Sequence, residues 1–125
     1  MRTVSAVLLH RDPVLARGLQ ETLTAQFRKL VLANSTSELE EAVPRVRASC
    51  AIVDMETVSY PELKRLCAEF PGTAFVCIHR LADESMWASA LQMGAADCCQ
   101  SNDIRGIVTA SQRYAPSPQP EPAAA

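Results

Sequence analysis

The sequence predicts a doubly wound α/β domain: a five-stranded parallel sheet in the order 2-1-3-4-5, with five helices making a three-layer sandwich. Three observations carry this expectation. Short apolar runs rich in β-branched residues, such as Ala51-Ile52-Val53, suit strands buried on both faces, as in a parallel sheet. Segments with apolar residues at helical spacing alternate with those runs. Short connections opened by helix-capping residues link the two, which favours right-handed βαβ crossovers.

Taken in order, Thr3 to Leu9 reads as the first strand. Asp12-Pro13 opens a helix, because Asp accepts free amides and Pro is pre-set for the first turn. Leu15, Leu19, Leu23 and Phe27 recur at spacing four and extend that helix to about Arg28, with Gly18 a cost in its interior. Leu30 to Ala33 is a short second strand. Ser35-Thr36-Ser37-Glu38 matches a capping box and leads a helix through Leu39, Ala42, Val43 and Val46, which Pro44 should kink or shorten. Cys50 to Asp54 is the third strand, and Ser59-Tyr60-Pro61-Glu62 offers another capping box before Leu63, Leu66, Cys67 and Phe70. Thr73 to Ile78 is the fourth strand. Asp83 to Met93 is helical and stopped by Gly94. Asp97 to Gln100 is the fifth strand, and Ser101-Asn102-Asp103 caps a last helix with Ile104, Ile107, Val108 and Tyr114.

At 125 residues the chain fits one domain, residues 1–115, followed by a Pro/Ala-rich segment, 116–125, that reads as a tail or the stump of a linker. A net charge of -2 with no basic run speaks against nucleic acid or an anionic membrane as partner. No stretch is apolar enough to cross a bilayer and no secretory leader is visible, so a cytoplasmic protein is expected. Five cysteines without C-x-x-C spacing are expected to be reduced and structural. Cys98 and Cys99 should point to opposite faces of their strand, a thiol-based redox role being the alternative.

In the 2-1-3-4-5 order the switch point lies between the first and third strands, so His10-Arg11-Asp12 and Asp54-Met55-Glu56 come side by side. There the chain resembles the receiver domain of two-component response regulators, from about Val4 to Tyr114. The resemblance rests on Val7-Leu8-Leu9-His10-Arg11-Asp12-Pro13 with Arg17 and Leu19, on Ala51-Ile52-Val53-Asp54, and on Leu91-Gln92-Met93-Gly94-Ala95-Ala96-Asp97. It implies that Asp54 holds the phosphoacceptor position. The family's acidic, Mg²⁺-binding pair falls on His10 and Arg11, its hydroxyl position on His79, its lysine on Ser101, and its aromatic switch position on Cys98.

The departures imply a degenerate receiver. Mg²⁺ demands oxygen ligands in near-octahedral array, and a cationic side chain in that place offers repulsion of roughly 4 kcal/mol at 4 Å and an effective dielectric of 20. Phosphoryl transfer is mostly positioning and charge neutralisation, so no catalytic residue and no cofactor are expected, with Mg²⁺ weak or absent. Arg11 has three candidate roles: an ion pair with Asp54 or Glu56, a remnant oxyanion site together with His10, or an outward orientation. His79 is either a pH-sensing imidazole or an ordinary histidine at a strand end. A Ser101–His79–Asp54 hydrolase lacks a nucleophile elbow, His10, His79 and Cys98 lack diagnostic metal-site spacing, and no phosphate loop suggests a flavin. Trp87 is either an interface anchor or a flank of the core. The expected function is metal-independent binding of a signalling partner, a histidine kinase or downstream effector. A homodimer through the helix 4–strand 5–helix 5 face is the other expected assembly. The alternative is a receiver phosphorylated on Asp54 by a histidine kinase.

Overall fold

A computed structural model of the chain describes residues 4–115. The expected tail, 116–125, lies outside them. Its elements are β1 (Ser5–Leu9), α1 (Pro13–Leu23), β2 (Lys29–Ala33), α2 (Thr36–Val46), β3 (Cys50–Asp54), α3 (Tyr60–Glu69), β4 (Ala74–His79), α4 (Glu84–Met93), β5 (Asp97–Gln100) and α5 (Ile104–Tyr114). All strand pairs are parallel and the sheet order is β2-β1-β3-β4-β5, as the sequence predicts.

Strand alternation divides the core into two layers. Val7, Leu9, Ala51, Val53, Phe75 and Cys77 face α2, α3 and α4 through Leu39, Val43, Leu63, Leu66 and Ala90. Ala6, Leu8, Cys50, Ile52, Val76 and Ile78 face α1 and α5 through Leu23, Ile107 and Ala110. Burying a side chain such as Ile52 or Leu63 contributes roughly 1.5–3 kcal/mol, so both layers hold the central strands in register.

The helix starts follow the expected chemistry. The Asp12 carboxylate accepts from the Val14 and Leu15 amides, and Ser59 and Glu62 close a full capping box. At α2 the box is half formed: Ser35 caps Glu38, but the Glu38 carboxylate accepts from the Asn34 amide instead of the Ser35 amide. Helix α2 runs through Pro44 and closes three residues later at Arg47, in the left-handed region at φ 52°.

The first helix differs from expectation. It ends at Leu23, and a 3-10 turn over Thr24–Gln26 puts extended Phe27 into the α1–α5 layer. The spacing of four thus continues across a turn, because Phe27 reaches the core from the loop that leads into β2. At the other end of the stripe Leu15 is 51% exposed, and buried Ala16 takes the inward position. Leu91 is likewise only half-buried, and Ala90 is the residue of α4 that packs inward.

Candidate functional site

The site is built at the carboxyl end of the two central strands. Leu9 pairs with Val53, so the next residues, His10 and Asp54, become neighbours across the switch point. Both continue the alternation of Leu8 and Ile52 and so face α1 and α5. Asp54 is 1% exposed and His10 8%.

Asp54 is held by neutral groups. The Thr57 hydroxyl donates to its Oδ2 at 2.7 Å, and the Arg11 amide donates to Thr57 Oγ1 at 3.1 Å, tying the β1–α1 turn to the carboxylate through one hydroxyl. Asp54 Oδ1 is buried and has no hydrogen-bond partner. His10 Nε2 stands 3.8 Å from Oδ2, close enough for electrostatic attraction but beyond a hydrogen bond.

The tautomer of His10 follows from its other nitrogen. Nδ1 accepts the Asp12 amide at 3.1 Å, so in the neutral ring the proton resides on Nε2 and points toward Asp54. Where a metal ion would need an acceptor, the ring presents an N–H. His79 repeats the local arrangement, its Nδ1 accepting the Leu81 amide at 2.9 Å. Alternation along β4 puts His79 on the opposite face, since its predecessor Ile78 lies in the α1–α5 layer.

The remaining carboxylates are engaged. Asp12 caps α1. Glu56 lies in a bidentate pair with Arg80, at 2.6 Å from Nη2 to Oε1 and 2.9 Å from Nε to Oε2. The Arg80 guanidinium, its hydrogen bonds first, holds the Glu56 carboxyl below its ordinary range. The expected ion pair from Arg11 to Asp54 or Glu56 is therefore corrected. Arg11 is exposed and Arg80 is the cation on Glu56. The physical reason is that β1 ends at Leu9: Arg11 stands in the bend beyond the strand, where its side chain lies in solvent. Arg80, one residue past the end of β4, carried no motif that could have singled it out.

Among the described residues no group of three or more His, Cys, Asp or Glu side chains could hold a metal ion, and His10, His79 and Cys98 do not converge. The Ser101–His79–Asp54 arrangement also fails to assemble. Asp54 takes its hydrogen bond from Thr57, and the Ser101 amide donates to the His79 carbonyl, not to its ring. Beside His10 a groove of about 410 Å³ is lined by the polar His10, Glu56, Arg80, Ser101 and Asn102 and by the apolar Val14, Leu15, Leu19 and Ile104. Val14 is 78% exposed, a feature that the helix-stripe reading of α1 did not foresee.

The last strand separates its cysteines as expected. Cys98 packs against the α2–α4 layer and Cys99 lies in the α1–α5 layer. All five thiols are free, and burial pushes Cys67 up to about 11 and Cys50 and Cys99 up to about 12. Cys77 and Cys98 are raised by the same cause. Thiols so shifted are poor nucleophiles, which weighs against a redox role. Trp87 is 47% exposed and donates its indole N–H to Asp97 Oδ1 at 3.1 Å. With Tyr114 it lines a groove of about 660 Å³ between α4 and α5.

Neither a family model nor a curated protein matches the sequence. Solved structures do match its fold. The signal receiver domain of the response regulator NarL from Mycobacterium tuberculosis is 17% identical, with a TM-score of 0.77 over 92% of this chain and 98% of that one. The receiver domain of an HD domain-containing protein from Pseudomonas fluorescens is 18% identical, with a TM-score of 0.75 over 91% and 94% of the two chains. A response regulator from Burkholderia pseudomallei, solved with a phosphorylated aspartic acid, a calcium ion and citrate, is 16% identical, with a TM-score of 0.75 over 90% of this chain and 68% of that one. The fold is that of response-regulator receiver domains. Among the described residues no helix is long and apolar enough to cross a membrane.

Proposed function

We propose that the chain is a degenerate receiver, a cytoplasmic signalling module that works by binding a partner protein, without Mg²⁺ and with little or no phosphorylation of Asp54. The observation that carries this reading is the state of the carboxylates around the switch point. Asp12 is spent on helix amides, Glu56 on Arg80, and Asp54 has one oxygen on Thr57 and a histidine N–H beside it. One free carboxylate oxygen does not fit an octahedral cation that needs several oxygen ligands. Ser101, at the position of the family's lysine, brings no cation, and His79, at the hydroxyl position, brings no hydroxyl to steady a transferring phosphoryl group. The Burkholderia protein, solved with a phosphorylated aspartic acid and a calcium ion, has a similar backbone, so this reading rests on the side chains of this chain and not on its fold.

The test is incubation with a small phosphodonor and Mg²⁺, read by intact mass. No gain of a phosphoryl group is expected. A Mg²⁺-dependent gain that disappears in Asp54→Asn would establish the other reading, a phosphoacceptor served by a histidine kinase.

The partner is a signalling protein, a kinase or a downstream effector, or a second copy of the chain meeting it through α4, β5 and α5. Trp87, half exposed beside a groove, is the anchor such a surface needs. Sedimentation of the chain before and after Trp87→Ala decides whether the second copy docks there: an unchanged sedimentation coefficient removes that face.

A further inference from the structure

We propose that His10 is a proton-operated clasp that couples the Asp54 carboxylate to the first turn of α1. The inference starts from one bond. His10 Nδ1 accepts the Asp12 amide at 3.1 Å, and the Asp12 carboxylate in turn accepts from the Val14 and Leu15 amides that open α1. Only a ring with a bare Nδ1 can make the first bond. When the imidazole takes up a proton both nitrogens become donors, and Nδ1–H then faces the Asp12 N–H, two donors with no acceptor between them.

The same proton strengthens the opposite contact. Nε2 already stands 3.8 Å from Asp54 Oδ2, and the neighbouring Oδ1 is buried without a partner. An imidazolium is drawn toward that carboxylate, in ground of low dielectric, as it is pushed off the Asp12 amide. Other charges around the ring do not compete for it. Glu56 and Arg80, which share the groove, neutralise each other in a bidentate pair; Arg11 is exposed; Ser101 and Asn102, from the β5–α5 turn, are neutral. A single proton therefore loosens the cap of α1 while giving Asp54 a positive partner.

The experiment is an NMR pH series on the full chain, from about pH 8 to 5. The Asp12, Val14 and Leu15 amide signals are expected to move together, with the midpoint of the His10 ring protons. Exchange at Val14 and Leu15, corrected for its intrinsic pH dependence, should accelerate about fivefold, the size of a lost cap. In His10→Gln, which keeps an acceptor and a donor but no titration, those movements should vanish, while His79→Gln should keep them. Amide movements that persist in His10→Gln, or a ring that titrates with the amides still, overturn the clasp. Should His10→Gln not fold, ring nitrogen shifts of the unsubstituted protein at alkaline pH decide: a protonated Nδ1 overturns it as well.

Discussion

Two carboxylates two residues apart at the end of β3 are treated in opposite ways. Asp54, the last residue of β3, is buried and held by the neutral Thr57 hydroxyl, with the His10 ring 3.8 Å away. Glu56, on the rim, keeps a quarter of its side chain exposed and takes a guanidinium in fork geometry. The difference teaches how a buried and a half-exposed carboxylate are each satisfied. A buried charge needs hydrogen-bond donors more than it needs a counter-charge, and it supplies most of the energetic consequence when one is removed. A rim charge can recruit a long flexible partner, yet solvent and salt screen the pair and leave it little to contribute.

The comparison can be sharpened from the interior outward. The largest effect is expected at the sealed thiols. Burial raises Cys50 and Cys99 to about 12, and Cys77 as well, above the unfolded value near 9. A raised pKa favours the protonated folded state, so this contribution is complete below about pH 9 and is lost as pH rises, by up to about 1.4 kcal/mol per pH unit for each fully buried thiol. Urea midpoints should be flat to pH 8.5 and fall steeply by pH 10, and Cys50→Ala should make the fall shallower.

Next comes Asp54. Thr57→Val removes the donor to Asp54 Oδ2 and should cost about 1–3 kcal/mol in urea unfolding, because a buried carboxylate oxygen is left bare. A loss no larger than that of an ordinary surface substitution would mean that water replaces the hydroxyl and that Asp54 is not sealed. The smallest effect belongs to the rim. Arg80 holds the Glu56 carboxyl low, so the pair's contribution is present above the ordinary carboxylate range and lost as pH falls through the lowered value. In Arg80→Gln the Glu56 carboxyl should titrate higher by NMR, with the urea midpoint at neutral pH unmoved. Strong salt should reproduce that shift in the unsubstituted protein.

Much of this was legible in the residues themselves. Apolar runs and capping residues mark every strand and helix, and the order of the sheet follows from alternating elements with short right-handed crossovers. The same reasoning placed His10 beside Asp54. It misjudged Arg11, because the chain bends after β1 ends at Leu9 and leaves that side chain exposed. It could not see Arg80, an arginine in a turn with no pattern around it, nor Thr57, a threonine three residues past the strand. The helix-spacing rule also overreached at Leu15, where the stripe of α1 runs past the edge of the sheet and finds nothing to cover it.

Local sequence, through periodicity and capping, determined the elements, their order and the identity of the one acidic residue at the end of β3. Tertiary structure alone decided which groups meet that residue. Hydrogen bonds and ion pairs act over a few ångströms between loops that lie far apart in the chain, and only the packed sheet brings those loops into range.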